Sequence, residues 1–241
     1  MASRRMISSA AVLGALLVVG IAQAQVNPVP PNDYGNCPFD IDGRAVESNE
    51  PKIEGTEDRD FLVGGSNNNQ IDGDSRKDCL YGRGGDDGLQ GSKGIDFMEG
   101  NNGRDQLRGG NRGDLMSGGN ARDDISGDDG PDTIRGNRGY DSLAGDNGGD
   151  KIWGGPGKDR IRGYNGNDRI RGGRGGDRIQ GQAGDDRLRG NEGPDTLIDE
   201  SGTNHLACGR GKHDKAVTNR RSTVQRNCEK VVRRGVVVRN R

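Results

Sequence analysis

A nine-residue period keeps its phase through sixteen consecutive blocks, residues 55 to 198, without one insertion or deletion. Glycine opens every block, from Gly55 to Gly190. The sixth position is aspartate in fifteen of the sixteen, with Asn69 as the exception. The eighth is always Leu, Ile or Met, from Leu62 to Leu197, and Leu206 extends the series. The fourth is glycine in eleven. A flexible glycine-rich linker has no reason to hold phase this long, so the period is structural.

Each position has a physical task. Glycine at positions one and four permits backbone angles that a Cβ forbids, so positions one to six are expected to form a tight turn. Positions seven to nine are expected to form a three-residue strand, with eight facing in and seven and nine facing out. Two blocks make one 18-residue coil. Through Ala207 this predicts about eight and a half coils spaced by about 4.8 Å, a rod roughly 40 Å long. The fold class is all-β, a parallel β-roll with a thin ladder of Leu and Ile inside.

That ladder raises a problem of stability. Only 28% of the residues are hydrophobic and 3% aromatic, while 45 are glycine. Ordering glycine-rich backbone is entropically expensive, and so little apolar burial does not offset it. The turns also stack carboxylate above carboxylate, which is repulsive. An ion-free rod is therefore expected to be unstable. Stacked carboxylates beside turn carbonyls form oxygen cages for a hard cation. Calcium accepts six to eight oxygens at 2.3–2.6 Å in a forgiving geometry, whereas magnesium demands octahedral order and zinc prefers nitrogen and sulfur. Multiple Ca2+ ions are the expected cofactors, with metal binding and folding as one event. The candidate ligands are Asp60, Asp78, Asp87, Asp96, Asp105, Asp114, Asp123, Asp132, Asp141, Asp150, Asp159, Asp168, Asp177, Asp186 and Asp195.

Blocks such as GGPGKDRIR (154–162) and GGRGGDRIQ (172–180) match G-G-x-G-x-D-x-U-x at every specified position. They resemble the repeats-in-toxin family of hemolysin-type calcium-binding nonapeptides. The resemblance spans residues 55 to about 207. It implies a right-handed parallel β-roll with calcium between successive same-side turns, held by the sixth-position Asp and backbone carbonyls. There are departures: the second position is glycine in only five blocks, and Arg76, Arg112 and Ala121 replace the fourth glycine. The ending CGRGKHDKAV…NCEKV also resembles that of small secreted bacterial proteins with such repeats.

The ends read differently. Arg4 and Arg5, the apolar run from Ala10 to Ile21 and Ala22-Gln23-Ala24 form an export signal over residues 1–24. The apolar run is too short to span a bilayer comfortably, and no span is expected in the mature chain. Secretion to the extracellular space follows. Residues 25–54 read as a linker and N-terminal cap in which Phe39 and Ile41 cover the first coil. Residues 208–241 read as a basic, disulfide-bonded C-terminal cap, the pattern failing where Lys215 takes the inward position. Four cysteines in an exported chain are expected to pair. Of three possible connectivities, the two local pairs, 37–79 and 208–228, are favoured.

The outward positions suggest a partner class. One face of the later coils carries Lys151, Trp153, Arg169, Arg171, Arg187 and Arg189, and the other Arg160, Arg162 and Arg178. Trp153 is expected to lie beside Arg171 for cation–π contact. The plain reading is a solvated face whose charges discourage sheet-to-sheet aggregation. The sharper reading is a platform for anionic polysaccharide or a cell-envelope surface. The formal charge is −1, and about a dozen bound dications would make the rod strongly cationic. No nucleic-acid partner is indicated, and the sequence carries no sign of oligomeric state. Without HExxH, GxSxG or a Walker loop, and with most of the chain in repeats, an enzyme is not expected. Ice binding is also disfavoured, since no ranks of threonine occur.

Overall fold

The computed structural model describes residues 37–38, 45–225, 227–233 and 236–239. The export signal and the proposed covering role of Phe39 and Ile41 lie outside the described residues. The described chain is all strand and turn, coiled into a parallel β-solenoid of two sheets with 11 and 12 strands. Alternate strands go to opposite sheets, so each strand pairs with the one a full coil away. Residues in register are 18 apart, as in Ile134, Ile152 and Ile170 of the 11-stranded sheet. Leu143, Ile161 and Ile179 do the same in the other.

The eighth position faces inward throughout. Leu62, Leu80, Met98 and Ile152 are completely buried, and the two facing columns form one continuous core from Val46 to Val231. In most regular coils positions seven and nine are exposed or half-buried, as the alternation requires.

The strands are longer than the sequence suggests. From Cys79–Gly84 to Arg187–Glu192 each has six residues, positions seven to nine and then one to three of the following block. The turn itself shrinks to positions four to six. Glycine, asparagine and aspartate carry little strand preference. The neighbouring coils supply it here, because their exposed amides and carbonyls are in register to pair. Third-position asparagines add side-chain rungs, such as Asn165 Nδ2 donating to Asn147 Oδ1 at 2.8 Å.

The glycines divide into two kinds. Most fourth-position glycines take positive φ, as at Gly148 (151°) and Gly166 (130°), Gly94 and Gly139 being exceptions. First-position glycines do not. At Gly145 an added Cβ would stand 2.2 Å from Asp150 Oδ2 and 2.9 Å from Gly163 O. Space, not backbone angle, requires the glycine there. Positive φ falls instead on position two, at Asp128 (66°), Asn137 (72°) and Tyr164 (73°). Polar side chains that tolerate this region dominate there, so the second position does not have to be glycine.

The stack extends beyond the strict repeat. Ala45–Glu47 and Lys52–Glu54 begin the two sheets. After Ala207 the chain absorbs one extra residue in a turn, and Lys215–Thr218 pairs in register with Thr196–Asp199. Ala216, fully buried, therefore takes the inward position rather than Lys215, correcting the expected break. Val236–Arg239 finally pairs antiparallel to Lys230–Arg233.

Both favoured disulfides are present. Cys208–Cys228 lies inside the roll, within the core. Cys37–Cys79 lies on the outer face of the 11-stranded sheet, against Phe61, Tyr81 and Phe97. Trp153 is in register with Arg171, but the cation over its ring is Arg135, 5.0 Å from the centroid. The expected partner is thus replaced by the one from the preceding coil.

The division of glycines is testable. Gly145→Ala should lower stability by about 1–3 kcal/mol through overpacking. At Gly149 the nearest atom to an added Cβ is Asn167 O at 3.5 Å, so Gly149→Ala should shift stability by about 0.5 kcal/mol or less. Urea denaturation in calcium-containing buffer distinguishes them; equal effects would refute the steric assignment.

Candidate metal centre

The sixth-position side chains point into the roll at its two turn edges and are 0–2% exposed. Asp150 shows the arrangement. Its Oδ1 accepts the backbone N–H of Asp132, one coil back, at 2.8 Å. Its own N–H donates to Asp168 Oδ1, one coil ahead, at 2.9 Å. The same bond joins Asp78 to Asp96, Asp105 to Asp123 and Asp177 to Asp195, all at 2.8 or 2.9 Å. Two ladders of carboxylate-to-amide bonds thus run the length of the stack, one along each edge.

The other oxygen has no protein partner. Oδ2 is buried and unbonded in fourteen of the fifteen candidate aspartates. In each, Oδ2 lies in the space that a Cβ on its block's first glycine would fill. The carbonyl of the first residue one coil ahead borders the same space at most of these positions, as Gly163 O does beside Asp150 and Gly172 O beside Asp159. A carboxylate oxygen and a backbone carbonyl therefore converge on one glycine-lined cradle, repeated once per turn.

Asp60 is the exception. Its Oδ2 accepts the Thr56 N–H at 2.6 Å and the Thr56 hydroxyl at 3.1 Å. The asparagines behave similarly. Asn69 donates to Glu50 O, and its Oδ1 accepts the Gly65 N–H at 3.0 Å. Asn204 keeps the ladder bond, accepting the Asp186 N–H at 2.8 Å, while its amide donates to Ser201 O. These three lie near the ends of the ladders, where the protein itself supplies the second partner. Asp214, beyond the strict period, continues one ladder by accepting the Asp195 N–H at 2.8 Å, and its Oδ2 is also unpartnered. Its 19-residue spacing hides it from a strict count of nines.

Burial, followed by neighbouring carboxylates, pushes these groups up the pH scale. The ladder bond from the preceding coil's amide opposes this. Asp78, Asp96 and Asp132 are raised to about 8, Asp114 and Asp168 to about 7, and Asp105 and Asp150 to about 6. An unpaired carboxylate in such a place must gain a proton or a cation. The donors are all hard oxygens, which suits calcium and not zinc. Among the described residues no three His, Cys, Asp or Glu side chains gather at one point. An ion here would therefore take most of its oxygens from the backbone.

The RTX calcium-binding nonapeptide repeat matches the chain in nine stretches, from residues 52–78 to 180–211, the last eight overlapping. The chain belongs to this family. Its RTX repeats form a calcium-binding β-roll, and the orphaned oxygens in their cradles fit that ion. No curated protein matches the chain.

The raised pKa values give the RTX roll a pH dependence of definite sign. An unfolded Asp titrates near 4, below the values of about 6–8 in the folded, ion-free state. Protons thus favour the ion-free fold. That contribution is complete below about pH 4 and is lost as pH rises through about 6–8. Calcium competes with those protons, so its affinity should rise over the same interval. In chelator, the β-structure followed by circular dichroism should be greater at pH 5 than at pH 8, and saturating calcium should abolish the difference. A β-signal in chelator that rises with pH would refute the assignment.

Proposed function

We propose that this chain is a secreted calcium-binding module, structural or interaction-mediating rather than catalytic, whose roll folds outside the cell as it takes up several Ca2+ ions. The fifteen sixth-position aspartates are the assigned ligands, Asp60 the weakest because Thr56 already occupies its second oxygen. The observation that carries this reading is the fourteen buried Oδ2 atoms, each without a partner and each in a glycine cradle. Two disulfides among the described residues support an oxidising destination. The extent of the repeat, matched from residue 52 to 211, supports a structural role.

In this mechanism the chain's own groups do three things. Oδ1 fixes the spacing of adjacent coils through the amide it accepts. Oδ2 and the turn carbonyls present negative charge to the space between coils. The first-position glycine leaves that space open. Calcium supplies the positive charge that lets the carboxylates stay ionised while buried.

A calcium titration tests this. Far-UV circular dichroism and hydrodynamic radius should show a cooperative gain of β-structure with compaction, reversed by chelator and not reproduced by magnesium. Asp150→Asn keeps an oxygen for the Asp132 amide but removes the carboxylate. It should raise the calcium midpoint severalfold and lower the stoichiometry. An unchanged midpoint would remove Asp150 from the ligand set.

A second reading concerns the outer face. Arg169 is in register with Arg187, and Arg171 with Arg189. All four are exposed, and among the described residues none of them has an ion-pair partner. Stacked like charges are unfavourable unless something neutralises them. A linear anionic polysaccharide of the cell envelope, lying along the stack, would do so. The calcium-loaded protein should be retained on a sulfated polysaccharide column in a salt-sensitive manner, and Arg169→Gln/Arg187→Gln should elute earlier. Retention unchanged in chelator, or by the variant, would refute this reading.

A further inference from the structure

One block departs from the pattern at both its first and its sixth position. In residues 199–207, DESGTNHLA, the first glycine is replaced by Asp199 and the sixth aspartate by Asn204. The two changes compensate physically. Elsewhere a side chain at position one would collide with the Oδ2 of its own block's aspartate. Here Asn204 directs its amide to Ser201 O instead, which leaves room for Asp199.

Asp199 then reaches back into the preceding cradle of its column. It follows Ile198, which pairs with Gln180, and so stands over Gly181. The point where a Cβ on Gly181 would lie is 2.4 Å from Asp186 Oδ2 and 2.4 Å from Asp199 Oδ2. Oxygens that share one calcium at 2.3–2.6 Å can be up to about 5 Å apart, so this pair is within reach of a single ion. Asp199 is 1% exposed and Asp186 0%. The two carboxyl groups lie within hydrogen-bond reach of each other, with the Ser201 backbone amide beside Asp199, and no side-chain donor serves Asp199 or Asp186 Oδ2. One coil further, in register with Asp199, stands Thr218, fully buried and with Oγ1 also unpartnered. Among the described glycines, Gly181 alone would bring an added Cβ against oxygens of two different aspartates.

We propose that Asp186 and Asp199, with the Thr218 hydroxyl as a further oxygen, form a two-carboxylate calcium site that closes this edge of the roll and binds its ion more tightly than the repeat sites. The inference rests on the reading of the roll as a calcium module, and goes beyond it by assigning one site a different donor set. Calcium affinity rises with the number of charged ligands. The site should therefore fill first, with an affinity on the order of tenfold above the others.

Europium(III) in place of calcium tests it on the full chain. The energy of its lowest excitation band depends on the summed charge of the ligating groups. The wild-type chain should show a separate band that saturates at one ion per chain before the main band grows. Asp199→Asn and Asp199→Gly should both lose that band and the tightest step of a calcium titration. The main band and the calcium-saturated circular dichroism should remain. Asp199→Gly/Asn204→Asp returns the block to the common pattern and should restore the ion count without restoring the separate band. That variant keeps the test valid if a single substitution fails to fold. A single band in the wild type, unaltered by Asp199→Asn, would overturn the inference and mean that the pair merely shares a proton. Calcium-independent folding of the wild type would instead overturn the reading of the whole roll.

Discussion

The bond from each sixth-position carboxylate to the amide one coil back is the interaction on which the other features depend. It sets the position of the side chain, and with it the position of the second oxygen. Asp132 N–H to Asp150 Oδ1, Asp150 N–H to Asp168 Oδ1 and Asp168 N–H to Asp186 Oδ1 form a continuous run. The carboxylates are therefore locked rather than free to turn toward water. Once locked, each leaves Oδ2 buried beside a glycine. A buried acceptor without a partner costs about 1–3 kcal/mol, and more if charged. Repeated once per turn, that debt makes the fold conditional on a proton or a cation. The aliphatic columns hold the two sheets together, but the conditional part of the stability lies at the edges.

This constraint also explains where glycine can be exchanged. Position one must stay empty wherever the block's own aspartate fills the cradle. Cys208 and Asp199 depart from glycine only in the last coils. Asn204 supplies the sixth-position group of the Asp199 block, and the Cys208 block carries the one-residue insertion before Asp214. Position four answers to backbone angle instead, so Arg76, Arg112 and Ala121 can stand there with φ of 74°, 78° and 84°. Strain in the left-handed region is tolerable at single sites when flanking coils fix the backbone.

Much of this was legible in the sequence because the period is strict. Inward Leu and Ile, two turn edges, alternating sheets and both disulfides follow from counting in nines and from the sparse cysteines. The six-residue strands were not legible, because residues such as Gly145, Asp146 and Asn147 signal a turn. Their strand conformation comes from pairing with identical coils, a tertiary effect that overrides local preference. Asp214 and Ala216 were obscured by a single inserted residue, which shifts every inward side chain if it is not allowed for. The ladder bonds were invisible as well. Asp at a turn predicts an exposed side chain, and only the stacked geometry shows that its Oδ1 is already committed to an amide.

The outer faces complete the electrostatic argument. Inside, carboxylates are stacked along both edges; outside, Arg169, Arg171, Arg187 and Arg189 are stacked on one sheet in the same register. In the ion-free chain the inner charge partly balances the outer. Calcium in the cradles would remove that balance, since it would neutralise the buried column and leave the arginines facing water. Their mutual repulsion then grows while the rigidity of the roll fixes their spacing at the interstrand distance, about 4.8 Å. A fixed row of cations is a better template for a regular polyanion than the same residues on a flexible chain, because the ordering entropy is already spent in folding. On the proposed reading the repeat couples two surfaces: what the interior binds would determine whether the exterior exists as a surface at all.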